Sequence, residues 1–141
     1  MKKVLATGTF DLLHPGHVHY LRESAAQGDE LVVIVARESM VSHKNPPVLP
    51  EEQRREMVET LEPVDRAVLG SEDSIFEPLH DIRPDVITLG HDQHYDEDDL
   101  RDELRERGFE ADVVRVSGRE EREDEILSTS SIVERIVEKR C

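Results

Sequence analysis

The 141-residue sequence predicts an α/β fold, a Rossmann-like doubly wound arrangement with a five-stranded parallel sheet and helices on both faces. Apolar runs alternate with helix-patterned segments at short spacing, as successive βα units require. Runs such as Leu31-Val32-Val33-Ile34-Val35 are continuously apolar, which suits strands covered on both sides. Proline and glycine sit where helices should start and stop. The length suits one domain spanning 1–141.

The first strand is expected at 3–7 and the first helix at 16–27. A second strand at 30–36 leads to a helix at 51–61, headed by Pro50 and carrying Met57, Val58 and Leu61 at core-facing spacing. Then come a strand at 66–69, a helix at 74–82, a strand at 85–89 and a helix at 97–107 that stops at Gly108. A last strand at 112–116 and a last helix at 128–139 complete the alternation. Two segments fit no element: 37–49, with Pro46-Pro47, and 117–127, which is nearly all charge. Both follow a strand's C-terminal end, so both are candidate active-site loops.

The formal net charge is −15, from 33 Asp and Glu against 18 Lys and Arg, and the lysines are only Lys2, Lys3, Lys44 and Lys139. Such a surface lacks the basic face that binds nucleic acid. It reads as the acidic, lysine-poor exterior of a protein from a high-salt cytoplasm. The regular apolar runs argue against disorder. The N-terminus runs straight into a strand without a signal-peptide pattern, and no apolar run approaches the roughly 20 residues that span a bilayer. The expectation is a soluble, cytoplasmic protein without membrane or nucleic-acid partners. Cys141 is the single cysteine, which excludes an internal disulfide and a cysteine-based zinc site.

Gly8-Thr9-Phe10-Asp11-Leu12-Leu13-His14-Pro15-Gly16-His17 stands where the first strand ends and the first helix begins. The free N–H groups of a helix's first turn make an anion site, and histidines three apart share one face of that turn. Two imidazoles there can donate to phosphate oxygens as charge builds up during transfer. Gly16 between them is read as leaving room for a nucleotide. A metal site is the rival chemistry, but no carboxylate stands at helical spacing to complete a zinc triad. Neither a P-loop nor a GxGxxG turn is present. After the fourth strand come Gly90-His91-Asp92-Gln93, and before the last helix Leu127-Ser128-Thr129-Ser130-Ser131, a run longer than helix capping alone explains.

At these residues the sequence resembles the cytidylyltransferase-like nucleotidyltransferases with their HxGH motif, and the likeness covers nearly the whole chain. The resemblance implies nucleotide binding by Thr9, Phe10, His14, Gly16, His17, Asp92, Ser128 and Thr129. It implies catalytic roles for His14, His17 and Lys44. Candidates for phosphate or acceptor binding are Asp11, Arg54 and either Arg119 or Arg122. The competing reading of Arg54 and Arg55 is a solvated helix face paired with neighbouring glutamates. No metal ligand set is expected from the protein alone, and a divalent cation such as Mg²⁺ would arrive on the nucleotide. Relatives are often dimers, so a homodimer is expected.

Within the family, the segments 50–58, 63–65 and 90–93 look closest to archaeal FAD synthases, which adenylylate FMN with ATP. The substrates implied are therefore ATP and FMN. A glycerol-3-phosphate cytidylyltransferase making CDP-glycerol from CTP is the alternative; Glu62 stands where those enzymes commonly carry an arginine. A nucleotide-binding sensor without catalysis is the second alternative. Phe76, Tyr95 and aliphatic side chains are the candidates for a flavin wall. The reaction implied is direct in-line attack on the α-phosphorus, without a covalent enzyme intermediate.

Overall fold

The computed structural model describes residues 1–41, 46–72, 74, 76–93, 95–120 and 125–141. Along the chain run β1 (Lys3–Gly8), α1 (Pro15–Ala25), β2 (Glu30–Val35), a 3-10 turn (Glu38–Met40), α2 (Glu51–Glu59) and β3 (Arg66–Leu69). They are followed by α3 (Leu79–Ile82), β4 (Val86–Leu89), α4 (Glu97–Glu106), β5 (Asp112–Arg115) and α5 (Thr129–Arg140). The strands form one sheet in the order β3-β2-β1-β4-β5, and every neighbouring pair is parallel. From β1 the chain therefore winds outward through β2 and β3, then returns to build β4 and β5 on the other side. The doubly wound expectation holds.

Alternation along the strands sorts the core into two layers. Val4, Ala6, Leu31, Val33 and Val35 pack with Leu21 of α1 and Val58 of α2. Leu5, Val32, Ile34, Ile87 and Leu89 face the other way, onto Leu79 and Ile82 of α3 and Leu100 and Leu104 of α4. Successive side chains of a strand point to opposite faces, so a continuously apolar strand serves both layers at once. By contrast α5 buries no residue, and its Val133, Ile136 and Val137 remain exposed. No described helix is long and apolar enough to cross a membrane.

Three local expectations change. The helix expected over 74–82 is confined to Leu79–Ile82, because Pro78 sits at its N-cap and has no N–H with which to continue a helix through that point. Pro50 caps α2 from outside instead of occupying its first turn. Met57 is 48% exposed, leaving Val58 as the residue through which α2 meets the sheet. Gly108 does end α4 as expected, with φ at 84° just past the Arg107 C-cap.

The excess of carboxylates must be held on a small surface, and their repulsion is screened over about 10 Å at 0.1 M salt but about 3 Å at 1 M. The melting temperature is expected to rise between those two conditions in a thermal scan. A flat or falling curve would show that self-repulsion does not limit this fold.

Candidate active site

At the centre of the sheet, β1 parts from its neighbour. It pairs with β2 along its whole length, Lys3 with Glu30 through Gly8 with Val35, but with β4 only from Val4–Val86 to Ala6–Thr88. Beyond that point side chains replace the ladder. The Tyr20 hydroxyl accepts from Thr7 N (3.2 Å) and donates to Thr88 O (3.0 Å). Gln93 continues the bridge: its Nε2 donates to Thr7 O (3.2 Å) and its Oε1 accepts from Gly90 N (2.7 Å). Ser24 donates to Tyr20 O and shares a 2.7 Å hydrogen bond with Thr88 Oγ1, so the network reaches into α1. Burial pushes the Tyr20 phenol above its ordinary pKa, which keeps the hydroxyl a neutral donor. This is the crevice in which α/β folds place their ligands, where the strand order reverses.

The histidine turn closes one wall of the crevice. His14 is the N-cap of α1, and the two histidines cap each other's backbone: Gly16 N–H donates to His14 Nδ1 (3.1 Å) and His14 N–H donates to His17 Nδ1 (3.2 Å). A nitrogen that accepts a backbone proton carries none itself, so in each neutral ring the proton is on Nε2. The rings lie 3.8 Å apart between centroids, tilted by 31°. The pair thus presents two Nε2–H donors from the first turn of a helix whose dipole already favours an anion. Burial lowers the His14 pKa below 6.5, and the charge of Asp92 offsets part of that shift. Taking a proton at Nδ1 would also break the bond from Gly16. Both effects favour the neutral form of His14.

Two further segments meet it. Arg115 of β5 reaches back to hold the loop after β4, donating to Gly90 O (2.8 Å), Gln93 O (3.0 Å) and Tyr95 O and pairing with Glu97. On that loop the Asp92 side chain is 80% exposed, with His91 Nδ1 4.0 Å from its Oδ1. His91 packs where a Cβ on Gly118 would stand, 2.9 Å from such an atom. The start of α5 lies against the start of α1: Thr129 Oγ1 donates to Leu12 O at 3.5 Å, and His19 Nε2 meets Ser117 O at 3.0 Å. Two helix N-termini therefore converge beside the crevice. Ser128 is the N-cap of α5, accepting from Ser131 N.

Several expected site residues prove to be builders of the site and do not face it. Arg54 is 1% exposed; it donates to Leu49 O (3.0 Å), Thr9 O (2.8 Å) and Ala36 O (2.7 Å), and its Nη2 is buried without a hydrogen-bond partner among the described residues. It is a buried arginine and not a solvated helix residue. Arg55 does lie on that face, paired with Glu52 and Glu59. Asp11 spends both carboxylate oxygens on Val48 N (2.7 Å) and Leu49 N (2.9 Å), pinning the chain ahead of α2. Phe10 is 3% exposed, its ring packed beside those of His17 and Tyr20. Phe10 also holds φ at 52°, a costly value for an aromatic residue, and its ring lies 2.7 Å from where a Cβ on Gly8 would stand. Gly16 is required for a nearer reason than nucleotide clearance: a Cβ there would stand 2.8 Å from the His14 ring. Arg119 is spent on Glu125, at 2.9 and 2.6 Å.

Glu62 follows α2 and precedes β3. Phe76 lies beneath Arg107, 4.1 Å from its guanidinium, at the end of α4 remote from the crevice. Tyr95 is 42% exposed on the loop Arg115 holds. Lys44, His94 and Arg122 lie outside the described residues. Two open grooves of about 650 and 640 Å³ run beside β3 and beside the turn into β5; both are lined without a histidine, and chemistry selects the crevice instead. Sequence reasoning missed Tyr20, Ser24, Gln93 and Arg115. Thr88, a polar residue within Val86-Ile87-Thr88-Leu89 that is fully buried, was the one signal pointing to them.

Because the folded pKa of His14 lies below 6.5, the unfolded chain takes up this proton first as pH falls. Stability from this group is complete above that value and is lost as pH drops through it. His14→Asn keeps a capping oxygen for the Gly16 N–H and removes the titration. Between about pH 7.5 and 5.5 the wild type should lose stability more steeply than the variant in denaturant melts. Parallel curves would mean that His14 titrates normally.

The cytidylyltransferase-like family profile matches residues 5–135. The chain is 59% identical over 137 residues to the FAD synthase of Ferroglobus placidus, covering 97% of this chain and 89% of that protein. It is 57% identical over 141 residues to the FAD synthase of Natronomonas pharaonis, covering 100% of both. Among solved structures it is similar to the lipopolysaccharide core biosynthesis protein from Thermoplasma volcanium, with 43% identity and a TM-score of 0.83 over 85% of this chain and 99% of that one. With the HxGH turn at the switch point of a doubly wound sheet, and a profile match across nearly its whole length, the chain belongs to the cytidylyltransferase-like family of nucleotidyltransferases.

Proposed function

We propose that this protein is an FMN adenylyltransferase, which makes FAD and pyrophosphate from FMN and ATP. The observation that carries nucleotidyl transfer is the reciprocal histidine cap, which ties Nδ1 of both rings to the backbone at the N-terminus of α1. FMN and ATP are supported by the near-complete alignment with FAD synthases at 57–59% identity.

In this reading a phosphate oxygen of FMN forms a bond to the α-phosphorus of ATP. The bond from that phosphorus to the bridging oxygen breaks in line, and pyrophosphate leaves with the electron pair. An FMN phosphate is already ionised near neutral pH, so the attack needs no strong general base. His14 and His17 donate from Nε2 to oxygens whose charge grows in transfer, where preorganised donors count most. Asp92 binds the nucleoside from the other side of the crevice. The first turn of α5, with Ser128 and Thr129, and Lys44 serve the remaining phosphates. Asp11 and Arg54 shape the turn without touching substrate. A divalent cation would arrive with ATP as the metal–ATP substrate and neutralise phosphate charge there.

The decisive assay supplies Mg²⁺, ATP and FMN in molar KCl and separates the flavins by chromatography. FAD with stoichiometric pyrophosphate is expected. CDP-glycerol from CTP and glycerol 3-phosphate, with no FAD from any nucleotide, would overturn the assignment; binding without turnover in every mixture would favour a sensor. His17→Ala should lower kcat by roughly 10²–10³ with much less change in ATP affinity. His14→Asn, which preserves the cap, should behave likewise. If both lose affinity in step with rate, the pair is a ground-state site and not a transition-state one.

A further inference from the structure

We infer that Gln93 is a positioning residue that ties the nucleoside-binding half of the site to its phosphate-binding half. The inference rests on the reading that a nucleotide lies across the crevice, with phosphates at His14 and His17 and its nucleoside at Asp92. Those two halves stand on different strands. The histidine turn grows out of β1 and the Asp92 loop grows out of β4, and the ladder joining the strands ends at Ala6 and Thr88. Past that point the side-chain links are Tyr20, which spans Thr7 and Thr88, and Gln93, which spans Gly90 and Thr7.

Of the two, Gln93 stands nearer the ligand end. It neighbours Asp92 in sequence and grips Thr7, the residue before Gly8 and the turn. Its amide is suited to the task because one end accepts from Gly90 N–H on its own loop while the other donates across the gap to Thr7 O, which the Tyr20 hydroxyl also approaches at 3.4 Å. Arg115 holds the same loop by Gly90 O, Gln93 O and Tyr95 O, but from β5, so it fixes the loop's shape and not its distance from β1. Without Gln93 the loop stays folded and Asp92 stays on it, while the spacing between Asp92 and the histidines loosens.

A ligand that spans both halves gains from their fixed spacing, as two linked binding events gain from effective concentration; a ligand touching one half does not. Loss of the tie should therefore weaken ATP and spare its parts. Wild type, Gln93→Met, Gln93→Glu and Asp92→Ala are compared for the KM of ATP, for inhibition by adenosine and by pyrophosphate, and for melting temperature. Gln93→Met removes both hydrogen bonds at similar size. Gln93→Glu keeps the acceptor for Gly90 N but sets a carboxylate against Thr7 O, and it carries the test if the methionine variant does not fold.

Both variants should raise the KM of ATP by about tenfold, with the inhibition constants of adenosine and pyrophosphate within about twofold of wild type. Asp92→Ala should weaken adenosine and spare pyrophosphate. If adenosine inhibition weakens in the Gln93 variants as much as ATP does, Gln93 contacts the nucleoside itself and the inference falls. A uniform weakening of all three ligands with a lowered melting temperature likewise overturns it, since that is general loosening. If Asp92→Ala leaves adenosine unaffected, the placement of the nucleotide is wrong, whatever the Gln93 variants do.

Discussion

Two adjacent strands that separate inside a protein leave backbone N–H and C=O groups which water cannot reach and which must still be paired. That constraint governs the centre of this molecule. Where β1 leaves β4, the Tyr20 hydroxyl and the Gln93 amide take over the pairing of Thr7, Thr88 and Gly90. Ser24 and Thr88 then satisfy one another beneath them. A fully paired polar network in a low-dielectric interior holds its geometry, because any partial rearrangement leaves a buried group unsatisfied. The crevice exists because side chains and not backbone close it.

Charge is used unevenly around that centre. The chain carries a net −15, yet two of its arginines are turned inward onto peptide carbonyls. Arg54 gathers the ends of β1 and β2 and the approach to α2 through Thr9 O, Ala36 O and Leu49 O, while Arg115 gathers the loop after β4. A guanidinium suits such work because its planar fork directs several donors at once. Asp11 answers Arg54 by gripping the backbone N–H groups of Val48 and Leu49. The turn bearing the histidines is thus clamped from two sides, which lets Phe10 hold its strained backbone.

The electrostatics of the histidine pair follow from the same economy. An imidazolium at a helix N-terminus would oppose the helix dipole and its own partial burial. Each ring instead accepts a backbone proton at Nδ1, and burial lowers the His14 pKa. In the proposed function, phosphate meets directed N–H donors at helix termini, with Lys44 beside them. That suits a protein whose overall field repels polyanions.

The strand and helix order was legible in the sequence because each element carries its own period and its own punctuation. Alternating apolar runs needed cover on both faces, and Gly108 stopped α4 by adopting a backbone angle few other residues tolerate. The HxGH turn was legible for a similar reason: its residues act on one another over three positions, within one turn of helix. Helix 74–82 failed as an expectation where a single Pro78 outweighed the local pattern. What only the tertiary structure decided was the part played by residues whose partners are far along the chain. Arg54 and Arg55 are neighbours on one helix, yet one is buried against carbonyls 18 and 45 positions away and the other pairs with glutamates in its own helix. Gln93 meets Thr7 across 86 residues. Periodicity assigns a residue to a face, but which buried backbone group it must satisfy depends on how strands distant in sequence come together.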